Sequence, residues 1–171
     1  RALMGLKDGR VSYFDMDRGI SIFDFAHSAE VRSTGLSDNG LIGISGSDDR
    51  TAKIWDLKKG VEINSLTLEN QVKTVAISGS GKLAFTTAQR EDTLVWDTET
   101  GKQKFKLKNR YVNYTTATFS KDEKFITAGT FSGQIKRWNI QTGNEVSAWQ
   151  AKPRKAYGGA SSKAIVDLVD L

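Results

Sequence analysis

The stretch "SGSDDRTAKIWDLKKG", residues 45–60, decides how this chain is read. Two turn signals flank one short alternating run. Asp48, Asp49 and Arg50 make the first turn, and a charged segment closing on Gly60 makes the second. Asp stabilises turns through its own backbone, and Gly supplies positive φ without steric cost. In the run between them, Ala52 and Ile54 fall on one face of a strand, and Lys53 and Trp55 on the other. Both faces carry apolar weight, so the sheet that holds this strand needs cover on both sides. The same stretch offers hydroxyls at Ser45 and Ser47 and carboxylates at Asp48 and Asp49, with His27 upstream. Those are the parts of a nucleophilic triad, or of a buried structural set.

The phrase returns. "TTAQREDTLVWDTETG" occupies residues 86–101, "AGTFSGQIKRWNIQTG" residues 128–143, and a degenerate copy, "MGLKDGRVSYFDMDRG", residues 4–19. The aromatic anchors Phe14, Trp55, Trp96 and Trp138 are spaced 41, 41 and 42 residues apart. Gly19, Gly60, Gly101 and Gly143 keep the same spacing. A second turn marker runs in step: "SDNG" at 37–40, "SGSG" at 78–81 and "SKDE" at 120–123. Each unit reads as four short strands rich in Val, Ile, Thr and aromatics, separated by turns about ten residues apart. That spacing leaves no room for crossover helices, so a parallel sheet is not expected. Four-stranded sheets stacked radially, each covering its neighbour's face, satisfy the pattern: an all-β propeller of about four blades.

Composition narrows the chemistry. The 171 residues are 38% hydrophobic and 26% charged, ordinary for a globular domain. No apolar run approaches the ~18 residues of a spanning helix. Without cysteine there are no disulfides, no thiolate nucleophile and no Cys-based zinc site. His27 is the sole histidine, and no metal-ligand spacing surrounds it. No cofactor, metal or catalytic residue is therefore assigned. "SGSGK" at 78–82 lacks the full phosphate-loop spacing and sits in a strand-to-strand turn. The formal charge of +5 permits a polyanionic partner without requiring one. The compartment stays open, since a chain without cysteine suits cytosol and periplasm alike.

With its 41-residue period, the Trp-Asp pairs at 55–56 and 96–97 and the SGSDD turn, the chain resembles the WD-repeat β-propellers. That resemblance implies a non-catalytic scaffold that binds another protein or peptide. It also implies that His27, Ser45 or Ser47, Asp49 and Trp55 form a hydrogen-bonded structural tetrad, which disfavours the triad. The other repeats depart from it: Leu68 and Arg90, then Arg110 and Ser132, stand where His and Asp would be, and only Asp8 survives in the first copy. The units are 1–26, a partial blade lacking its first strand; 27–67, 68–109 and 110–151, three full blades; and 152–171, a loop followed by one more first strand. The favoured reading is a segment of a longer propeller. Self-assembly of half-propellers comes second, and a closed four-blade ring third.

The resemblance places the partner-binding face at the start of the first strands and before the turn after the second. Those positions are Lys7, Glu30, Arg32, Asp48, Gln71, Lys73, Gln89, Asn113, Thr115 and Phe131. Their charges nearly cancel, which favours a protein over nucleic acid. The alternative is a polyanion site on the row Lys102, Lys104, Lys106 and Lys108, extended by Arg110. Alternate residues of a strand repeat every ~6.6 Å, near the spacing of successive phosphates. Lysines also protect edge strands from pairing with other chains, and this is the favoured reading of the row.

Overall fold

The computed structural model describes residues 1–107 and 112–151. Among them the chain is all-β, with fifteen strands in four antiparallel meanders that stand as propeller blades. The first blade has three strands, β1 (Ala2–Gly5), β2 (Arg10–Asp15) and β3 (Ile20–Ala26). The second runs β4 (Val31–Leu36), β5 (Ile42–Ser47), β6 (Thr51–Asp56) and β7 (Val61–Thr67). The third runs β8 (Val72–Ile77), β9 (Leu83–Ala88), β10 (Thr93–Asp97) and β11 (Gln103–Leu107). The fourth runs β12 (Tyr114–Phe119), β13 (Phe125–Thr130), β14 (Gln134–Asn139) and β15 (Glu145–Gln150). The strand expected near residues 161–171, and the loop before it, lie outside the described residues.

One turn is built the same way in every blade. Asp15, Asp56, Asp97 and Asn139 end the third strand of their meanders (the second described strand in the first blade). Each accepts backbone N–H groups of the turn on its side-chain oxygen, from Arg18, Lys59, Thr100 and Thr142. Their main-chain carbonyls accept from Gly19, Gly60, Gly101 and Gly143 at 2.8–2.9 Å. Those glycines hold φ between 66° and 71°, which a residue with a Cβ adopts only at a cost. So the Asp of each Trp-Asp pair is a turn cap, and Asn serves equally in the fourth blade.

The aromatic anchors also share a device. A register shift falls just before Phe14, Trp55, Trp96 and Trp138, leaving Ile22, Ile63, Lys104 and Val146 as the extra residue on the outermost strand. A second set falls in the first strands, where Arg32, Lys73 and Thr115 are the extra residues. A bulge twists the strand and re-aims its side chain.

The core lies between blades rather than within them. Leu3, Val11, Tyr13 and Phe25 of the first blade meet Val31, Trp55 and Leu57 of the second. Ile44, Ile54 and Leu66 of the second meet Val72, Val75 and Trp96 of the third. Phe85, Val95 and Leu107 of the third meet Tyr114, Ile126 and Trp138 of the fourth. The first strands β4, β8 and β12 run beside one another along these seams.

The turn glycines give a graded test. A Cβ at Gly60 would lie 2.5 Å from the Phe23 ring, whereas one at Gly19 meets nothing within 4 Å. Gly19→Ala is expected to lose only the left-handed backbone term, about 1–2 kcal/mol. Gly60→Ala is expected to lose measurably more in urea unfolding, because the first seam must also open.

Candidate functional site

His27 sits between β3 and β4, and its N–H donates to the Gly9 carbonyl at 2.9 Å, tying the second blade to the first. Its ring is enclosed. Nδ1 lies 2.9 Å from Asp49 Oδ2 and Nε2 lies 2.8 Å from Ser45 Oγ. Trp55 Nε1–H donates to the same Ser45 oxygen at 2.8 Å. One proton arrangement satisfies all three contacts: indole N–H to Ser45 Oγ, Ser45 O–H to Nε2, and Nδ1–H to the carboxylate. The Trp55 ring stacks on Phe25 at 4.4 Å and stands edge-on to His27 at 6.2 Å.

Asp49 gathers more donors than the sequence suggested. Thr51 donates its hydroxyl to Oδ1 at 2.6 Å and its N–H at 2.9 Å, and the Ser28 N–H reaches Oδ2 at 3.0 Å. Burial alone would raise this carboxyl. The Thr51 hydroxyl, the Ser28 and Thr51 amides and the His27 ring outweigh it and bring the pKa down to about 2. Burial pushes His27 below its usual 6.5, against the opposing pull of Asp49, so the ring is held neutral. Ser47 stands outside the set: it donates to the Ala29 carbonyl and accepts from the Asp49 N–H. Thr51, a bonded member, was missed because a Thr opening a strand reads as β-propensity alone.

The geometry is that of a triad without a substrate's access. Ser45 is 0% exposed, and its hydroxyl is committed to an imidazole and an indole. Nothing can approach its oxygen without opening the first seam. The later blades keep fragments of the set. Trp96 donates to Thr86 at 2.9 Å, as Trp55 does to Ser45, while Leu68 and Arg90 stand at the repeat positions of His27 and Asp49. Trp138 has Ala128 at the hydroxyl's place and stands edge-on to Tyr114 at 5.5 Å. Asp8 caps the Arg10 amide, as Asp49 caps that of Thr51.

Five of the ten predicted face residues join in one network. Arg32 donates through Nε to Asp48 at 3.0 Å and pairs with Glu30 at 3.1 Å. Lys73, from the next blade, donates to the other Asp48 oxygen at 3.0 Å and to Gln71 at 2.8 Å. The Arg32 guanidinium first, and Lys73 after it, hold the Asp48 carboxyl below the usual range. Beside them the Gln89 N–H donates to the Gln71 carbonyl, as that of Asp48 does to Glu30. Arg32, Lys73 and Thr115 are the three bulged residues of the first strands. Thr115 donates to the Gly129 carbonyl, while Lys7, Asn113 and Phe131 are exposed and take no part in the five-residue network.

The lysine row is less regular than strict alternation predicts. Lys102 precedes β11, Lys104 is its bulged residue, and Lys106 pairs with Asp92 at 3.3 Å. Lys108 and Arg110 lie outside the described residues.

Residues 19–56 match the WD40 family model, described as WD domain, G-beta repeat. The match spans His27, Ser45, Asp49 and Trp55. No curated protein matches the chain.

Two predictions follow from the buried set. Ser45→Ala orphans the Trp55 N–H and His27 Nε2 together, so it should cost about 2–4 kcal/mol, against about 1–3 for Thr86→Val, which orphans only one. Acid should act in two windows. The His27 contribution is complete above 6.5 and declines below it, as the unfolded chain takes up the proton. That of Asp49 is complete above 3.8 and is lost as pH falls toward 2. Urea midpoints measured from pH 7 to pH 5 should fall in the natural chain and lose that step in His27→Gln.

Proposed function

Taking residues 19–56 as a WD40 repeat within a run of propeller blades, we propose that the chain is a non-catalytic scaffold that binds another protein or peptide. Repeats of this family in general serve protein interaction, and the finer assignment concerns the face. Binding is carried by the end of the second and third blades that displays Glu30, Arg32, Asp48, Gln71, Lys73 and Gln89, flanked by Lys7, Asn113, Thr115 and Phe131.

The observation that carries this reading is the Arg32–Asp48–Lys73 bridge. It crosses the seam between two blades and joins two bulged strand positions through one carboxylate. Fixing the flexible cations in advance lowers the ordering cost of an interface. Each cation keeps part of its surface toward solvent, Arg32 at 39% and Lys73 at 31% of the side chain. A partner therefore meets alternating charge held in a set pattern, which suits specificity and orientation more than bulk affinity.

A photo-crosslinking residue at Gln89 is expected to trap a discrete partner from the native cell extract, and one at Lys104 is not. Asp48→Lys, which reverses the bridge, should abolish the adduct while the thermal melt stays cooperative. An adduct formed equally from both positions, or unaffected by Asp48→Lys, would sink the assignment of this face.

A further inference from the structure

The second and third blades differ in chemistry at one place where the repeat superposes them. In the second, Lys53 lies over Trp55, with Nζ 5.5 Å from the ring centroid. It donates to the Ala26 carbonyl at 3.1 Å and pairs with Glu62 at 3.0 Å. An ammonium is thus held by an indole face, a carbonyl and a carboxylate, all supplied by this chain. The 41-residue period puts Thr67, Trp96 and Gln103 at the places of Ala26, Trp55 and Glu62. Leu94 takes the place of Lys53, so the third blade's own cation is gone.

What remains there is a cleft of about 240 Å³, lined by Thr67, Trp96, Glu69, Glu91, Asp92 and Lys106, with Leu94 beside them. Three carboxylates have entered: Glu69 stands for Ser28, Glu91 for Arg50 and Asp92 for Thr51. Asp92 pairs with Lys106, whose side chain is 57% exposed and lies at the rim. Glu91 Oε1 is buried, with no hydrogen-bond partner among the described residues. A buried carboxylate oxygen without a donor is costly, and a donor that carries charge satisfies it best. Cations on an indole face gain further when water is excluded.

We propose that this cleft binds a lysine or arginine side chain from a basic segment of a partner protein, in the role that Lys53 fills within the second blade. The partner completes in the third blade what the second blade completes for itself. None of the lining residues belongs to the Arg32–Asp48–Lys73 bridge, and the three carboxylates outnumber the one rim cation, Lys106, which favours a cationic ligand.

The test is an amide and indole NMR titration of the chain with N-acetyl-Gly-Lys-Gly-amide, its arginine counterpart and its acetyl-lysine counterpart. Shifts are expected at the Trp96 indole and around Glu91 with both cationic peptides and not with acetyl-lysine. Leu94→Lys rebuilds the internal cation and should abolish binding; Lys106→Met should tighten it. Glu91→Gln, in a half-exposed turn, should weaken it roughly tenfold. No shifts, or equal shifts with acetyl-lysine, would overturn the proposal, as would binding that survives in a folded Leu94→Lys. Should Leu94→Lys fail to fold, an affinity unchanged in Glu91→Gln overturns it alone. None of these outcomes touches the crosslinking result at Gln89, so the two readings fail separately.

Discussion

A small sheet with apolar side chains on both faces cannot be buried by its own strands. Every other feature of this chain answers to that constraint. It explains why the hydrophobic clusters sit between blades, each drawing on opposite faces of consecutive sheets. It also explains why the turns are so uniform. A blade must present the same outline to the neighbour on either side, so its third and fourth strands must leave the anchor at a fixed angle. The Asp or Asn cap, the left-handed glycine and the bulge before the aromatic anchor together set that angle.

The buried polar set of the second blade is then a local solution to a packing problem. Trp55 is large, lies in a seam and carries an N–H that needs an acceptor. Ser45 provides the acceptor, His27 Nε2 accepts the hydrogen bond that the serine O–H donates, and Asp49, accepting from Nδ1–H, fixes the imidazole's tautomer. The third blade solves the first step with Thr86 and stops, because Leu68 makes no polar demand. The fourth has Ala128 at that place and an aromatic ring, Tyr114, against the indole. A chain of dependencies can be cut after any link whose last member is satisfied, and the repeats have cut it at different links.

Much of this was legible in the residues. The period, the turn glycines and the alternation within "TAKIWD" give the strands and their faces, because backbone turns and two-sided burial leave direct marks on residue type. Ser45 and Ser47 could not be told apart from spacing alone: both precede the same turn, and only the ladder shows which hydroxyl faces the indole. The bulges left no mark either. A bulge is a matter of pairing between two strands, and neither strand records its partner. That is why Arg32 and Lys73 were found as face residues without the reason for their aim, and why the lysines of β11 read as one regular row. The cleft at Trp96 was hidden for another cause: it consists of what Leu94 fails to supply, and an omission shows only beside the blade that lacks it.

The first-strand bulges carry a consequence for how such an array diversifies. Arg32, Lys73 and Thr115 are skipped by the ladder between the first and second strands, and none belongs to a seam core. Exchanging one alters what the surface displays, and at Arg32 or Lys73 also the bridge to Asp48, while leaving register and the apolar packing of the seams as they were. Selection for a new partner and selection for a folded blade thus act on different letters of the same repeat. Recognition can drift quickly over an architecture that is inherited almost unchanged.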